Sequence, residues 1–277
     1  MKHQEGTFTG LKDLELYYQA WLPDKDPRAI LLIVHGLAEH TGRYKNMVDY
    51  FIPRGYAIYG FDLRGHGRSQ GSKGYVERFS YYIDDLKTFV DTVRRENAGK
   101  KIFMVGHSMG GLIATIYATK YQNDLSGLIV SAALLKIGAS VSPAAVVMAK
   151  IISVIAPKMG VAVLDASALS KDKAVVDAYV NDPLVYRGKT TARWGTEVLD
   201  IQKKLPEQLN LITLPILIMY GSEDKLCNPE GSKMLYEKVS SKDKRLNIYE
   251  GLYHEIFNEP EHEKVMADVE AWLSARI

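Results

Sequence analysis

The chain has 277 residues, 47% of them hydrophobic, which is enough for one globular unit with a large core and room for an inserted subdomain. Lysine and arginine number 35 against 33 aspartates and glutamates, a balance that gives no electrostatic reason to expect a nucleic-acid partner. The lone cysteine, Cys227, excludes an internal disulfide and a cysteine-rich metal site, and fits a reducing, cytoplasmic setting.

The opening residues, MKHQEGTFTG, lack the apolar stretch of a cleaved signal peptide. No run approaches the ~18 apolar residues of a membrane-spanning helix, so the sequence reads as soluble. In chain order, the predicted elements are a strand at LELYYQAW, a strand at AILLIVHG, a helix near 44–52, a strand at YAIYGFD and a helix near 81–96. KIFMVG, a helix from Met109, and LSGLIVSA continue the alternation. It then stops. From about residue 134 to 208 no strand is predicted, only the apolar helix AAVVMAKIISVIA between Pro143 and Pro157, followed by polar helical segments. PILIMYG, a helix near 230–239, RLNIYEG and a closing helix near 261–276 complete the chain. This patterning predicts an α/β fold with a mostly parallel central sheet flanked by helices. Residues 1–133 and 209–277 form its core, and residues 134–208 a helical cap inserted into it. No internal repeat or low-complexity tract interrupts it.

The stretch VGHSMGG, residues 105–111, sits between a predicted strand and a predicted helix. A turn sharp enough to hold a serine up at a strand tip crowds the residues two before and two after it, and Gly106 and Gly110 relieve that crowding. Ser108 is then the nucleophile, and the Met109 N–H at the helix start is placed to bind an oxyanion. By composition alone G-x-S-x-G arises in roughly one chain in ten of this length, so the strand and helix around it carry the reading.

A serine hydroxyl needs a base, and the base needs a carboxylate to orient it, in the chain order serine, acid, histidine. Asp224 follows the strand LIMYG, and His254 follows LNIYEG, both at strand C-termini where open α/β sheets build their sites. Glu223 is the nearest rival acid, Glu250 lies within its strand run, and His262 falls in the last helix facing solvent. The second oxyanion donor should come from the loop HGLAEHTGRY, where the Leu37 N–H is suitably placed. His35, His40, His66 and His107 lack a metal-ligand spacing and read as turn-packing residues, so no metal and no cofactor is expected. DLRGHGRS, residues 62–69, lacks the ending of a phosphate loop and reads as an ordered turn supporting the site.

Taken together, HGLAEHTGRY, GFDLRGHGRSQG, GHSMGG, NDPL, GSEDKLCNPEG and IYEGLYHEIFNE make the whole chain resemble an α/β-hydrolase of the monoacylglycerol lipase group. The resemblance implies Ser108, Asp224 and His254 as the catalytic residues and the Leu37 and Met109 N–H groups as the oxyanion hole. It adds Glu39, Arg43 and Tyr179 at the polar, glycerol-binding end of the pocket, and a thiol near the pocket at Cys227. Ala38 departs from the family, which often has glycine there, and puts the geometry of Leu37 in question.

The substrate implied is a small lipid ester, cleaved to fatty acid and glycerol. A broader carboxylesterase or lysophospholipase on the same scaffold is the enzyme alternative, and a non-catalytic lipid-binding protein the alternative of another class. Dehalogenase and epoxide hydrolase chemistry is disfavoured because the relatives that perform it carry aspartate where Ser108 stands. The apolar cap helix is too short to span a bilayer. It either packs inward or turns a face to a membrane surface for transient, peripheral contact. Nothing in the sequence requires a protein partner.

Overall fold

In a computed structural model, residues 1–136 and 143–277 are described, and residues 137–142 of the expected cap lie outside them. Among the described residues ten strands form, eight of them in one sheet: β1 (Lys2–Thr9), β2 (Glu15–Leu22), β3 (Ala29–Val34), β4 (Tyr56–Phe61), β5 (Ile102–His107), β6 (Gly127–Ser131), β9 (Ile216–Gly221) and β10 (Lys244–Tyr249). Their order across the sheet is β1-β2-β4-β3-β5-β6-β9-β10. β2 pairs antiparallel with both β1 and β4, and every other pairing is parallel.

β3, β4, β5, β6 and β9 are buried at every position because both faces of the sheet are covered. Alternate residues of β3 therefore enter different cores. Ile30, Leu32 and Val34 pack on the face covered by α2 (Ser80–Glu96) and α3 (Met109–Tyr121), while Ala29, Leu31 and Ile33 pack against α1 (Lys45–Phe51) and α8 (His262–Ser274). Helix α3 has no polar stripe: residues from Met109 to Ala118 are all buried, as befits a helix pressed against the middle of the sheet.

The sequence reading omitted β1. Its residues alternate between exposed and half-exposed, the pattern of an edge strand with little apolar signal, and it is held by eight paired positions along β2. Phe8 is its anchor, stacked on Phe89 and edge-on to Phe61.

Between β6 and β9 the chain makes an insertion that carries α4 (Pro143–Ile155), α5 (Lys173–Asn181) and α6 (Ala192–Lys204). Contrary to the all-helical expectation, it also holds two short antiparallel strands, β7 (Gly160–Ala162) and β8 (Thr190–Thr191), too brief to leave a pattern in the sequence. α4 runs along one side of α6, joined by the Thr196 hydroxyl donating to the Ser153 hydroxyl at 2.9 Å. From its other side α6 sends Trp194 and Val198 into the same core as α2 and α3. Helix α7 (Pro229–Lys238) lies between β9 and β10. Glu250, expected within its strand, falls one residue beyond the end of β10, and His262 is half-buried, its Nδ1 against the Glu259 carbonyl.

Candidate active site

Ser108 follows β5 directly and holds φ +53°, ψ −119°, a strained conformation for a residue with a Cβ, of the kind that costs about 1–3 kcal/mol and persists only where its surroundings enforce it. Its neighbours show the enforcement. A Cβ on Gly110 would stand 2.0 Å from the Val34 carbonyl oxygen, and one on Gly106 would stand 2.6 Å from the Gly110 carbonyl oxygen, so the start of α3 is packed directly on the backbone of β3 and β5. The Ser108 N–H donates to the Ser131 carbonyl at 3.0 Å, and the Ser108 carbonyl accepts from Leu112 and Leu134. Only 8% of the residue is exposed.

Asp224 lies after β9 and His254 after β10. Their side chains meet at 2.8 Å, His254 Nδ1 against Asp224 Oδ2, both almost wholly out of solvent. The other carboxylate oxygen accepts from the Leu226 and Cys227 amides at 2.8 and 3.0 Å. Burial pushes the Asp224 carboxyl up, but the His254 contact and those two amides outweigh it, and it lies below the usual carboxylate range. An ionised Asp224 accepts a hydrogen bond from Nδ1–H and so keeps that proton on Nδ1, which leaves Nε2 with the lone pair that a general base requires. The rival Glu223 is exposed.

Cys227 Sγ lies 4.0 Å from Ser108 Oγ, which among the described residues is the Ser108 hydroxyl's side-chain partner. Asp224, Cys227 and His254 present atoms within 4.8 Å of one another, a closeness that follows from the two hydrogen bonds through which Asp224 holds its neighbours. Burial pushes the Cys227 thiol well above its ordinary value, and the Asp224 carboxylate adds to the effect.

The loop after β3 closes the site from the other side. A Cβ on Gly36 would stand 3.1 Å from the Ser108 Cβ, so this loop passes directly over Ser108. Leu37 and Met109, whose amides were expected to form the oxyanion hole, are thus brought to the same strand tips, after β3 and after β5. The loop is held by buried polar groups. Leu63 N–H donates to His35 Nε2 at 2.8 Å, so His35 Nδ1 carries the proton and donates to the Gly36 carbonyl at 2.8 Å. Asp62 accepts from the Thr41 N–H and hydroxyl through one oxygen, and from the Arg68 N–H through the other, which makes residues 62–69 the ordered turn predicted for them.

Glu39 and Arg43 join this loop to the histidine. Glu39 Oε1 accepts from the Gly36 N–H at 2.6 Å and the Tyr44 hydroxyl at 3.0 Å, and its Oε2 accepts from Arg43 at 3.1 Å. Arg43 donates two further bonds to Glu255, the residue next to His254. The guanidinium carbon lies 4.7 Å from the Tyr179 ring centre, so the three residues expected at the polar end of the pocket are neighbours. Glu255 was missed in the sequence. The available signal was an arginine with more donors than Glu39 alone could use. Glu259 was missed as well: its carboxylate accepts from the Tyr253 and Lys171 amides and the Ser170 hydroxyl, tying the His254 loop to the insertion.

A family described as Hydrolase_4, serine aminopeptidase S33, matches residues 25–261. The monoacylglycerol lipase of Mycolicibacterium smegmatis is 36% identical to this chain, over 99% of the chain and 98% of that protein. Human monoglyceride lipase is 32% identical over 94% of this chain and 87% of its own length. A soluble variant of Saccharomyces cerevisiae monoglyceride lipase, solved with a substrate analogue, superimposes with a TM-score of 0.88 at 25% identity, covering all of this chain and 95% of the yeast protein. The chain belongs to this α/β-hydrolase family, in its monoacylglycerol lipase group. No helix among the described residues is long and apolar enough to cross a membrane.

Proposed function

We propose that this chain is a monoacylglycerol lipase, a carboxylic ester hydrolase that releases fatty acid and glycerol through an acyl-enzyme on Ser108. The observation that carries the reading is the buried Asp224–His254 hydrogen bond, set at adjacent strand tips with a serine in a strained turn. His254 Nε2 takes the Ser108 proton as Oγ adds to the ester carbonyl. The Leu37 and Met109 amides hold the resulting oxyanion. As the tetrahedral intermediate collapses, His254 passes the proton to the departing glycerol oxygen, and water repeats the sequence to free the fatty acid.

Glu39, Arg43 and Tyr179 form the glycerol end. Three of the four lone-pair positions of Glu39 are occupied by Gly36, Tyr44 and Arg43, which leaves one on Oε2 for a glycerol hydroxyl. A second acyl group would remove that hydroxyl and leave buried groups unpaired, which disfavours di- and triacylglycerols.

Residues 134–208 act as a cap over the site. Val147, Met148, Ile151, Val154 and Ile155 of α4 are exposed, as are Met159, Val161 and Val163 after it, an apolar surface suited to transient contact with a bilayer from which the substrate is taken. The setting is cytoplasmic and peripheral to the membrane, in keeping with a single buried thiol.

The test compares hydrolysis of mono-, di- and triacylglycerols of one chain length, a lysophospholipid and a p-nitrophenyl ester. Monoacylglycerol should exceed triacylglycerol in kcat/KM by at least about tenfold. Comparable rates would leave a general lipase or esterase. Ser108→Ala should abolish turnover and fluorophosphonate labelling, and Asp224→Asn should lower kcat by about 10⁴ by favouring the wrong histidine tautomer.

A further inference from the structure

Residues 181–184, NDPL, close helix α5 and take no part in the chemistry above, yet they lie against the loop that carries Leu37. Asp182 is fixed by its own turn, Oδ1 accepting from the Leu184 N–H at 2.8 Å. Its Oδ2 lies 2.8 Å from His40 Nε2. The Gly42 N–H donates to His40 Nδ1 at 3.2 Å, so Nδ1 carries the lone pair, Nε2 carries the proton, and His40 donates to Asp182. Four residues further on, the Tyr186 N–H donates to the Ala38 carbonyl at 2.8 Å. The two residues flanking Glu39 are thus each tied to the same turn of the insertion.

Ala38 is where these ties matter. It holds φ +67°, in the left-handed region that a residue with a Cβ occupies only when held there. On the core side Glu39 fixes the Gly36 N–H, and on the insertion side Tyr186 fixes the Ala38 carbonyl and Asp182 fixes His40. Leu37 lies between these anchors.

We propose that Asp182, together with the Tyr186 amide, is a positioning residue for the oxyanion hole: the insertion holds Ala38 left-handed and so aims the Leu37 N–H at the reacting carbonyl oxygen. The proposal rests on the reading of Ser108 as nucleophile and Leu37 as donor. It makes the insertion part of transition-state stabilisation even for esters too small to reach its apolar surface.

The experiment uses Asp182→Ala and Asp182→Asn with p-nitrophenyl acetate and with a small trifluoromethyl ketone. Ser108 Oγ adds to the ketone carbon, its proton passes to His254, and the former carbonyl oxygen becomes an oxyanion that reports on the hole. Asp182→Ala should lower kcat on the acetate by about tenfold or more with KM within about twofold, and weaken ketone binding by the same factor. Asp182→Asn keeps an oxygen for Leu184 but has no second acceptor for His40, and should lose a similar share. It decides the matter if Asp182→Ala does not fold. Wild-type kcat and ketone affinity in a folded variant, or losses confined to long-chain esters, would overturn the proposal. A wild-type enzyme that forms no ketone adduct at Ser108 would overturn the nucleophile reading, and this proposal with it.

Discussion

Arg43 and Glu255 face one another through two parallel hydrogen bonds, Nη1 to Oε1 at 2.6 Å and Nη2 to Oε2 at 2.8 Å, with both side chains at least nine-tenths buried. Burial alone would push the Glu255 carboxyl up, but the guanidinium holds it below the usual range. Fork-to-fork pairing of this kind is the strongest form of ion-pair hydrogen bond, and cutting one partner leaves the other buried and charged.

Glu255→Ala should therefore destabilise the protein by about 3–5 kcal/mol, a fall in Tm of the order of 10 °C in thermal unfolding. Glu39 still faces Arg43 in the variant, which places the loss toward the lower end of that range. A change of less than ~2 °C would mean that water or Glu39 replaces Glu255 at no cost.

Two glycines should behave in opposite ways. The space around a Cβ at Gly195, in helix α6, is open, so Gly195→Ala should raise stability by about 0.5–1 kcal/mol through helix propensity and a less flexible unfolded chain. Gly110→Ala would drive a methyl into the Val34 and His35 carbonyls and should yield no folded, active enzyme. Chemical denaturation of Gly195→Ala and soluble yield of Gly110→Ala are the readouts. A soluble and active Gly110→Ala enzyme would show that α3 can shift away from β3.

Three histidines make the fold sensitive to acid. Burial lowers His35 and His107 to about 4 and His66 to about 3. The folded protein keeps them neutral while the unfolded chain protonates them near 6.5, so between about pH 6.5 and 4 the unfolded state binds more protons and stability falls as pH falls. With all three contributing, the slope approaches about 4 kcal/mol per pH unit. The urea midpoint should drop steeply below pH 6.5, and His66→Gln should flatten the dependence by about one proton. An unchanged midpoint from pH 7 to 5 would contradict the burial of these rings.

Cys227 combines low reactivity with a sensitive position. Its thiol is buried and held in the protonated form, so N-ethylmaleimide should inactivate slowly at pH 7, and faster as the pH rises toward 9. Once modified, a group 4.0 Å from Ser108 Oγ crowds that hydroxyl. Cys227→Ser should retain activity under the same treatment. Equal loss in that variant would place the effect at another group.

What the sequence made legible follows from the range of each interaction. Ser108, Asp224 and His254 could be singled out because each follows a strand, and placement after a strand end is a local signal. β7 and β8 could not, having three and two residues. β1 could not because an edge strand exposed on one side carries a polar alternation close to that of a loop. Arg43 and Glu255 lie 212 positions apart and His40 and Asp182 142 apart, so only the folded sheet brings them together. The family resemblance placed Glu39, Arg43 and Tyr179 side by side, but it did not reveal that the first two spend most of their hydrogen bonds on the protein itself.

Helix α6 serves two masters: Thr196 engages α4, while Trp194 and Val198 belong to the core beneath. A transplant of the insertion between relatives would therefore leave the packing beneath α6 untouched only if it ended upstream of Ala192, and it would still have to supply partners for His40, Ala38 and Glu259, which bond Asp182, Tyr186 and Ser170. Cut there, the recipient keeps its own α6 and the seal over its sheet, and the graft brings α4, α5 and the exposed apolar residues of α4. Cut after Lys204, the graft carries a foreign Trp194 into a core shaped for another. The seam between what packs on the sheet and what does not thus runs just ahead of α6, and sequence change upstream of it leaves the sheet's core intact so long as the bonds to His40, Ala38 and Glu259 are kept.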